Sequence, residues 1–198
     1  MKILVVDDDK IIREDLRNLI DWQSTNFELV AEASNGYEAL EFVKSNSVDI
    51  IITDIYMPIL NGVELIKAIK ENNRRIQILV MSNYDDFAYV KDAMKYGALD
   101  YILKYKLNSD TLSALLETAA IEVKRTIEAD NEREQLKKAL LKEREQEYQT
   151  IWTKFLDQSY TYQQAAIKAK DLNMEFPEGD FIVILLKAEG IAKLSKQI

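Results

Sequence analysis

Short apolar runs alternate with segments of helical periodicity through roughly the first 120 residues of the chain. The runs are rich in β-branched residues, which favours buried strands, and the segments between them repeat apolar residues every three or four positions. Each predicted strand is followed by a predicted helix. Gly97 is the expected stop of the fourth helix, and Asn108 or Ser109 is the expected cap of the fifth. The five strands are predicted at residues 3–6, 27–33, 48–53, 76–81 and 99–103.

Strands that alternate with helices and are apolar on both faces indicate a parallel sheet that helices cover on both sides. We therefore predict an α/β fold for residues 1–121, with a five-stranded, doubly wound, flavodoxin-like sheet. In sheets of this kind the functional site lies at the carboxyl ends of the strands.

The fifth helix is predicted to continue past the sheet, because residues 123–158 contain neither Gly nor Pro. We expect a connecting helix over residues 122–158, either a solvated helix or one strand of a two-stranded coiled coil. Trp152 and Phe155 are expected to serve helix packing. One heptad register collects the apolar residues Leu116, Val123, Ile127, Leu141, Tyr148, Ile151 and Phe155 together with the charged residues Asp130, Glu134, Lys137 and Arg144.

Residues 159–198 predict a partial α+β segment: a helix, a turn at 177–179 and one apolar strand at 181–186. A single buried strand cannot complete a domain. We therefore expect this segment to be the start of a truncated intermediate domain, and the chain to be the N-terminal part of a longer protein.

Composition narrows the possible chemistry. The chain has no Cys and no His, which excludes disulfides, thiolate ligands and imidazole bases. A bound metal would need oxygen ligands, as Mg²⁺, Ca²⁺ and Mn²⁺ do. The net charge of -8 disfavours direct binding to nucleic acid. No apolar run approaches the length of a membrane span, so we expect a cytoplasmic location and no membrane contact.

Reactive side chains follow four of the five predicted strands. Because the carboxyl ends of parallel strands meet at one edge, these groups should converge. Converging carboxylates repel one another unless a cation intervenes, and Mg²⁺ accepts both carboxylate and phosphate oxygens. A carboxylate can also act as a nucleophile and form an aspartyl phosphate, whose charge a lysine and a hydroxyl would stabilise. The groups concerned are Asp7, Asp8, Asp9, Asp54, Ser82 and Lys104.

Four segments together resemble the response regulator receiver domain of two-component systems, a CheY-like fold. Residues 5–9 resemble its acidic start, and residues 52–62 resemble its phosphorylation loop. Residues 81–87 and 97–104 resemble its fourth and fifth segments. The Tyr-Asp-Asp-Phe sequence at 84–87 is particularly similar to receivers attached to AraC-type helix-turn-helix regulators. The resemblance covers residues 1 to about 121.

The resemblance implies a metal site and a phosphoacceptor. Asp54 would take the phosphoryl group. Asp8 and Asp54 would bind Mg²⁺, or alternatively Mn²⁺, directly, together with the backbone carbonyl of Tyr56. Asp7 would act mainly through water.

It also implies a switch. Ser82 and Lys104 would bind the phosphoryl oxygens, and Tyr101 would change rotamer as the Ser82 loop moves inward. Tyr101 can also be interpreted as a packed strand aromatic. The family commonly has Pro where this chain has Tyr105, with a cis bond before it. A cis bond without Pro costs about 2.5–4 kcal/mol, so we expect a trans peptide here.

The function implied is a signalling switch rather than an enzyme acting on a separate substrate. Because the chain lacks His, the phosphoryl donor would be a separate histidine kinase. A homodimer is expected through the fourth helix, fifth strand and fifth helix, together with the connecting helix. Transcription would be regulated through a DNA-binding domain beyond residue 198.

Two other hypotheses are consistent with parts of the sequence. Asp7-x-Asp9 after a strand also resembles the nucleophile motif of haloacid-dehalogenase-type phosphatases, which predicts phosphorylation of Asp7. A pseudo-receiver that no longer uses phosphate is the second alternative, and Tyr105 is its only support.

Overall fold

A computed structural model describes residues 1–83 and 87–177. Neighbouring strands of its single five-stranded sheet are all parallel, in the order β2-β1-β3-β4-β5. The predicted doubly wound sheet is therefore confirmed, and every strand begins and ends within two residues of its prediction. The strands are β1 (Lys2–Val6), β2 (Glu28–Ala33), β3 (Ile50–Asp54), β4 (Gln77–Ser82) and β5 (Asp100–Leu103).

Helices connect the strands, and the fifth continues well past the sheet. Two short 3₁₀ turns, Trp22–Ser24 and Lys104–Lys106, complete the backbone between α1 and β2 and after β5. The helices are α1 (Lys10–Leu19), α2 (Gly36–Ser45), α3 (Gly62–Asn72), α4 (Phe87–Lys95), α5 (Ser109–Leu156) and α6 (Tyr162–Asp171).

Two apolar layers hold the sheet between its helices. Successive strand residues point to opposite faces, so Leu4 and Val6 pack with α2, α3 and α4, whereas Ile3 and Val5 pack with α1 and α5. All four side chains are fully buried. Burying a side chain of this size stabilises the fold by about 1.5–3 kcal/mol. The buried strands are thus rigid supports for the polar groups that follow them.

The helix ends follow the predicted local chemistry. Asn108 caps α5, because its side-chain Oδ1 accepts a hydrogen bond of 2.9 Å from the backbone N–H of Thr111. Gly97 follows α4 with φ 102°, a left-handed conformation that favours glycine. The backbone N–H of Ala98 then donates to the carbonyl of Ala93 at 3.0 Å and closes the helix end.

The chain divides into two compact units, Met1–Glu134 and Gln135–Ile198. In the second unit the end of α5 packs against α6 through Ile151, Ala165, Ala169 and Phe176. Trp152 joins this cluster, with its ring centroid 4.5 Å from that of Phe176. The packing role predicted for the aromatic residues of this helix is therefore confirmed.

The same cluster contains the last three apolar residues of the heptad register, Tyr148, Ile151 and Phe155, so these contact partners within the chain. The coiled coil stays a prediction. Residues 84–86, the end of the predicted turn at 177–179 and the predicted strand at 181–186 lie outside the described residues. Within the described ranges no helix has the length and apolarity that crossing a bilayer requires.

Candidate functional site

The sheet register brings the predicted reactive groups to one edge. In the pairing of β3 with β4, Asp54 lies opposite Met81, so Ser82 is one residue further along. In the pairing of β4 with β5, Ser82 lies opposite Leu103, and Lys104 follows directly. The acids that follow β1 lie beside the end of β3. The structure thus brings together the groups that the sequence placed at four strand ends.

Lys104 joins two of the acids. Its Nζ lies 2.9 Å from Oδ2 of Asp7 and 2.9 Å from Oδ2 of Asp54. The three side chains are 15%, 0% and 5% exposed, respectively. The second oxygen of each acid accepts a backbone N–H, from Asp9 at 2.9 Å for Asp7 and from Ile55 at 2.7 Å for Asp54. Both carboxylates are therefore fixed in direction.

Asp8 forms a triad of acids with Asp7 and Asp54. One carboxylate oxygen from each of Asp7, Asp8 and Asp54 lies within 4.8 Å of the others. Asp8 is exposed, whereas its two partners are buried. Asp9 has a different role: its Oδ1 accepts the backbone N–H of Ile11 at 2.8 Å and caps α1. Asp9 is thus a structural residue, and it does not belong to the triad of acids.

The residues present fit a hard divalent cation. Three carboxylates and one ammonium leave two negative charges in a small, partly buried space, which a divalent cation would neutralise. The three side chains of this triad can each supply a carboxylate oxygen, the type of ligand that Mg²⁺ and Mn²⁺ prefer. Asp7, Asp8 and Asp54 could hold such an ion, and one exposed side would remain for water or a phosphate oxygen.

The pKa values of Asp54 and Lys104 reflect their burial and their contact with each other. Burial raises the pKa of Asp54, and the neighbouring Lys104 only partly opposes this effect. For Lys104 burial is the largest single effect and lowers the pKa, but the hydrogen bonds and charges of Asp54 and Asp7 together outweigh it, so the pKa is raised. The lysine therefore stays protonated at neutral pH, and the acids are held close under mutual repulsion.

We predict that Asp54→Asn stabilises the metal-free chain at pH 7. Because the pKa of Asp54 is raised in the folded state, its protonated form favours folding at low pH. This contribution is lost as the pH rises above its ordinary value of about 3.9 and through the raised one. The melting temperature in chelator should therefore be higher for the variant at pH 7, and the difference should shrink towards pH 4. A variant that melts below the wild type at pH 7 would contradict this.

The hydroxyl of Ser82 is buried. The side chain is fully buried, and within the described residues its Oγ has no hydrogen-bond partner. Such groups are rare in native structures because each costs about 1–3 kcal/mol. An oxygen-rich group bound beside Asp54 would supply the missing acceptor.

The loop after Asp54 depends on a close backbone approach. A Cβ at Gly62 would lie 2.1 Å from the carbonyl oxygen of Asp54, so only glycine fits there. The N–H of Gly62 donates to the carbonyl of Ile55 at 2.9 Å. The start of α3 is thus fixed against the acid, as the predicted phosphorylation loop requires.

Four exposed tyrosines lie on or next to the elements that carry the site. Tyr56, in the loop after β3, places its ring 4.8 Å from that of Tyr89 on α4, edge to face. Its backbone carbonyl stays a predicted ligand. Tyr101 is 45% exposed, which does not fit a packed strand aromatic and leaves its ring room to change rotamer. The peptide between Lys104 and Tyr105 is trans, as expected without proline.

Sequence reasoning missed two residues beside the acidic loop. Arg13 on α1 donates from Nη1 to the backbone carbonyl of Asp7 at 2.6 Å. Its Nε lies 3.3 Å from Oε2 of Glu32. The available signal was an acid at position 32, between two alanines and near the end of a strand.

Comparisons with known proteins show what the chain is similar to. Residues 3–117 match the model of the response regulator receiver domain family. The uncharacterized transcriptional regulatory protein YesN of Bacillus subtilis is 39% identical over 124 residues, which are 63% of this chain and 33% of YesN. The transcriptional regulatory protein HptR of Staphylococcus aureus is 38% identical over 103 residues, 52% of this chain and 40% of HptR. The matched region thus spans less than half the length of these curated relatives.

Solved structures show the same fold. The REC domain of AraT, a response regulator from Geobacillus stearothermophilus, has 36% identity and a TM-score of 0.56, over 65% of this chain and 97% of that one. A two-component transcriptional regulator AraC from Clostridium phytofermentans has 28% identity and a TM-score of 0.58, over 63% of this chain and 96% of that one.

Proposed function

The chain belongs, through residues 3–117, to the response regulator receiver domain family, and from that premise we propose that it is a phosphorylation-controlled switch whose phosphoacceptor is Asp54. The donor would be the phosphohistidine of a separate histidine kinase, and the output would be the regulation of transcription. One observation carries the proposal: carboxylates from two strands share the single ammonium of Lys104, with a third acid beside them. This arrangement supplies a nucleophile, a set of metal ligands and a cation.

The proposed metal ligands are Asp8 and Asp54, with the backbone carbonyl of Tyr56, while Asp7 acts mainly through water. Mg²⁺, or Mn²⁺ in its place, would neutralise charge on the phosphoryl oxygens as the group is transferred. Lys104 holds the carboxylate of Asp54 in direction through its 2.9 Å contact, which limits the orientations that must be searched before attack.

In the transfer step, a carboxylate oxygen of Asp54 forms a bond to phosphorus as the bond from phosphorus to the donor nitrogen breaks. The departing imidazole keeps the electron pair of that bond. It leaves as neutral imidazole when its other ring nitrogen carries a proton, and otherwise as imidazolate, which takes a proton from water. Lys104 would then pair with a phosphoryl oxygen, and Ser82 would donate its buried hydroxyl, which has no partner among the described residues, to another. These bonds can form only after phosphorylation. Phosphorylation would therefore favour the conformation in which they are made.

The proposed output passes through one face of the receiver. Movement of the Ser82 loop would let the exposed ring of Tyr101 change rotamer. The face formed by α4, β5 and α5 would then dimerise, with help from the connecting helix. DNA would be contacted only through a further domain. The similarity to proteins named as transcriptional regulators supports an output in transcription. The domain bounds 1–121, 122–158 and 159–198 and the cytoplasmic location stay predictions.

The test is to incubate the chain with acetyl phosphate, with Mg²⁺ or with chelator, and to map the modified peptide by mass spectrometry. We expect one phosphoryl group per chain, on the peptide that carries Asp54, and only with the metal. Modification of Asp7 with turnover of small phosphate esters would support the phosphatase alternative. A folded chain that takes up no phosphoryl group from acetyl phosphate, or from any kinase supplied, would indicate the pseudo-receiver.

A further inference from the structure

Arg13 touches the backbone that carries the metal-binding acids. Its Nη1 donates to the carbonyl oxygen of Asp7 at 2.6 Å and lies 3.4 Å from the carbonyl oxygen of Asp8. Its side chain is only 15% exposed, so the guanidinium group is largely removed from water. An arginine in this position therefore holds two consecutive peptide groups of the loop between β1 and α1.

The guanidinium group is itself held from β2. Its Nε lies 3.3 Å from Oε2 of Glu32, whose side chain is 19% exposed. The other oxygen of Glu32 accepts hydrogen bonds from Arg17, one turn further along α1. The planar fork of Arg13 thus connects a strand residue on one side with the acidic loop on the other, a geometry that lysine cannot reproduce.

The two acids of the loop depend on this support to different degrees. The carboxylate of Asp7 is fixed directly, by the N–H of Asp9 and by Lys104. Asp8 is exposed, and within the described residues its carboxylate has no such contact. Its direction is therefore set by its backbone, which is the part of the residue that Arg13 approaches.

Building on the proposed function, we infer that Arg13 is a positioning residue for the metal site, fixed by Glu32, and that it presents the Asp8 carboxylate to the divalent cation. It is not a ligand, since its contacts are with carbonyl oxygens and with Glu32. Residues that orient metal ligands in this way commonly change metal affinity by about 10–100-fold when replaced.

A simple charge effect predicts the opposite sign, which makes the inference testable. If Arg13 acted only through its positive charge, removing it would reduce repulsion of the cation, and Mg²⁺ would bind more tightly. If it positions the loop, removing it lets Asp8 adopt several orientations, and Mg²⁺ binds more weakly because one orientation must be selected.

The experiment is a titration of the ¹⁵N-labelled chain with Mg²⁺, followed through the backbone amide signals of Asp9 and Ile55. We expect Arg13→Met to raise the dissociation constant about ten-fold. The dissociation constant of Arg13→Lys should be intermediate, because an ammonium group can reach a carbonyl of the loop but cannot hold the loop and Glu32 at the same time. The matched control is Arg17→Met. Arg17 also donates to Glu32, but in the described part of the chain it is not seen to contact the loop, so its replacement should leave the dissociation constant within about two-fold.

Thermal melting in chelator separates metal affinity from folding. If Arg13→Met does not fold, Arg13→Lys carries the test, since it keeps the positive charge but loses the planar fork, so that weaker Mg²⁺ binding cannot come from charge alone. Unchanged or tighter binding in the Arg13 variants, with a wild type that binds Mg²⁺, would overturn the inference alone. A folded wild type that binds no Mg²⁺ at this site would overturn the proposed function.

Discussion

Asp54→Asn eliminates phosphoryl incorporation from acetyl phosphate and Mg²⁺, while the chain remains folded. The amide of asparagine is a poor nucleophile. Asp7 shares Lys104 with Asp54 but is 0% exposed, whereas Asp54 is 5% exposed and has Gly62 against its carbonyl. We expect the intact-mass signal of the phosphorylated chain to fall below detection, a larger effect than any other single substitution should have on this reaction.

The matched control for this loss is Asp9→Asn. Asp9 belongs to the same acidic loop, but its carboxylate caps α1, and asparagine serves equally well as a cap. This variant should therefore incorporate phosphoryl groups like the wild type. Full incorporation by Asp54→Asn, with the modified peptide now carrying Asp7, would refute the assignment of the phosphoacceptor.

Lys104→Met is the substitution with the largest expected effect on stability. It leaves two carboxylates that are 0% and 5% exposed without the cation they share. Breaking a buried ion pair by removing one partner costs 3–5 kcal/mol; we expect about 3 kcal/mol here, because one acid can take up a proton and relieve part of the repulsion. The loss should be smaller at low pH and in saturating Mg²⁺, since both reduce the repulsion between the acids.

Urea unfolding at pH 7 in chelator measures this loss. The two tryptophans lie in different units, so a Trp152→Phe background lets the fluorescence of Trp22 report on the first unit alone. Lys106→Met is the control: this lysine is exposed and lies over the ring of Tyr105, so the change should stay within about 0.5 kcal/mol.

A double variant gives the same prediction a second test. Adding Asp54→Asn to Lys104→Met removes the repulsion between the two acids and should recover part of the lost stability, although Asp7 remains buried without a cation. If the two substitutions are simply additive, the shared lysine is not what holds the acids together, and the ion-pair account fails.

Much of the site could be predicted because it consists of side chains at strand ends. Val5 and Val6 point to opposite faces as any strand residues do, and the chain must leave the sheet after them, so Asp7 is placed at the edge by sequence periodicity alone. The same holds for Asp54, Ser82 and Lys104. Because the strands are parallel, their four carboxyl ends lie at the same edge of the sheet. This is a property of the fold class and not of any one contact.

Arg13 and Glu32 could not be predicted in the same way. They are far apart in sequence and contact each other because β2 lies beside β1 and α1 covers that side of the sheet. No periodicity encodes the distance between a guanidinium group on a helix and a carboxylate on a neighbouring strand. The packing of Trp152 against Phe176 illustrates the complementary case, since the sequence indicated helix packing for Trp152 but did not identify its partner.

By itself the sequence determined the order of strands and helices, the parallel sheet and the residues that could carry the chemistry, because local periodicity and strand ends depend on neighbours along the chain. The tertiary structure decided which charges meet: that Lys104 serves Asp7 and Asp54 together, that the hydroxyl of Ser82 is buried without a partner in the described residues, and that Arg13 holds the acidic loop. These contacts act over distances of a few ångströms between residues far apart in the chain, so only the packed fold fixes them.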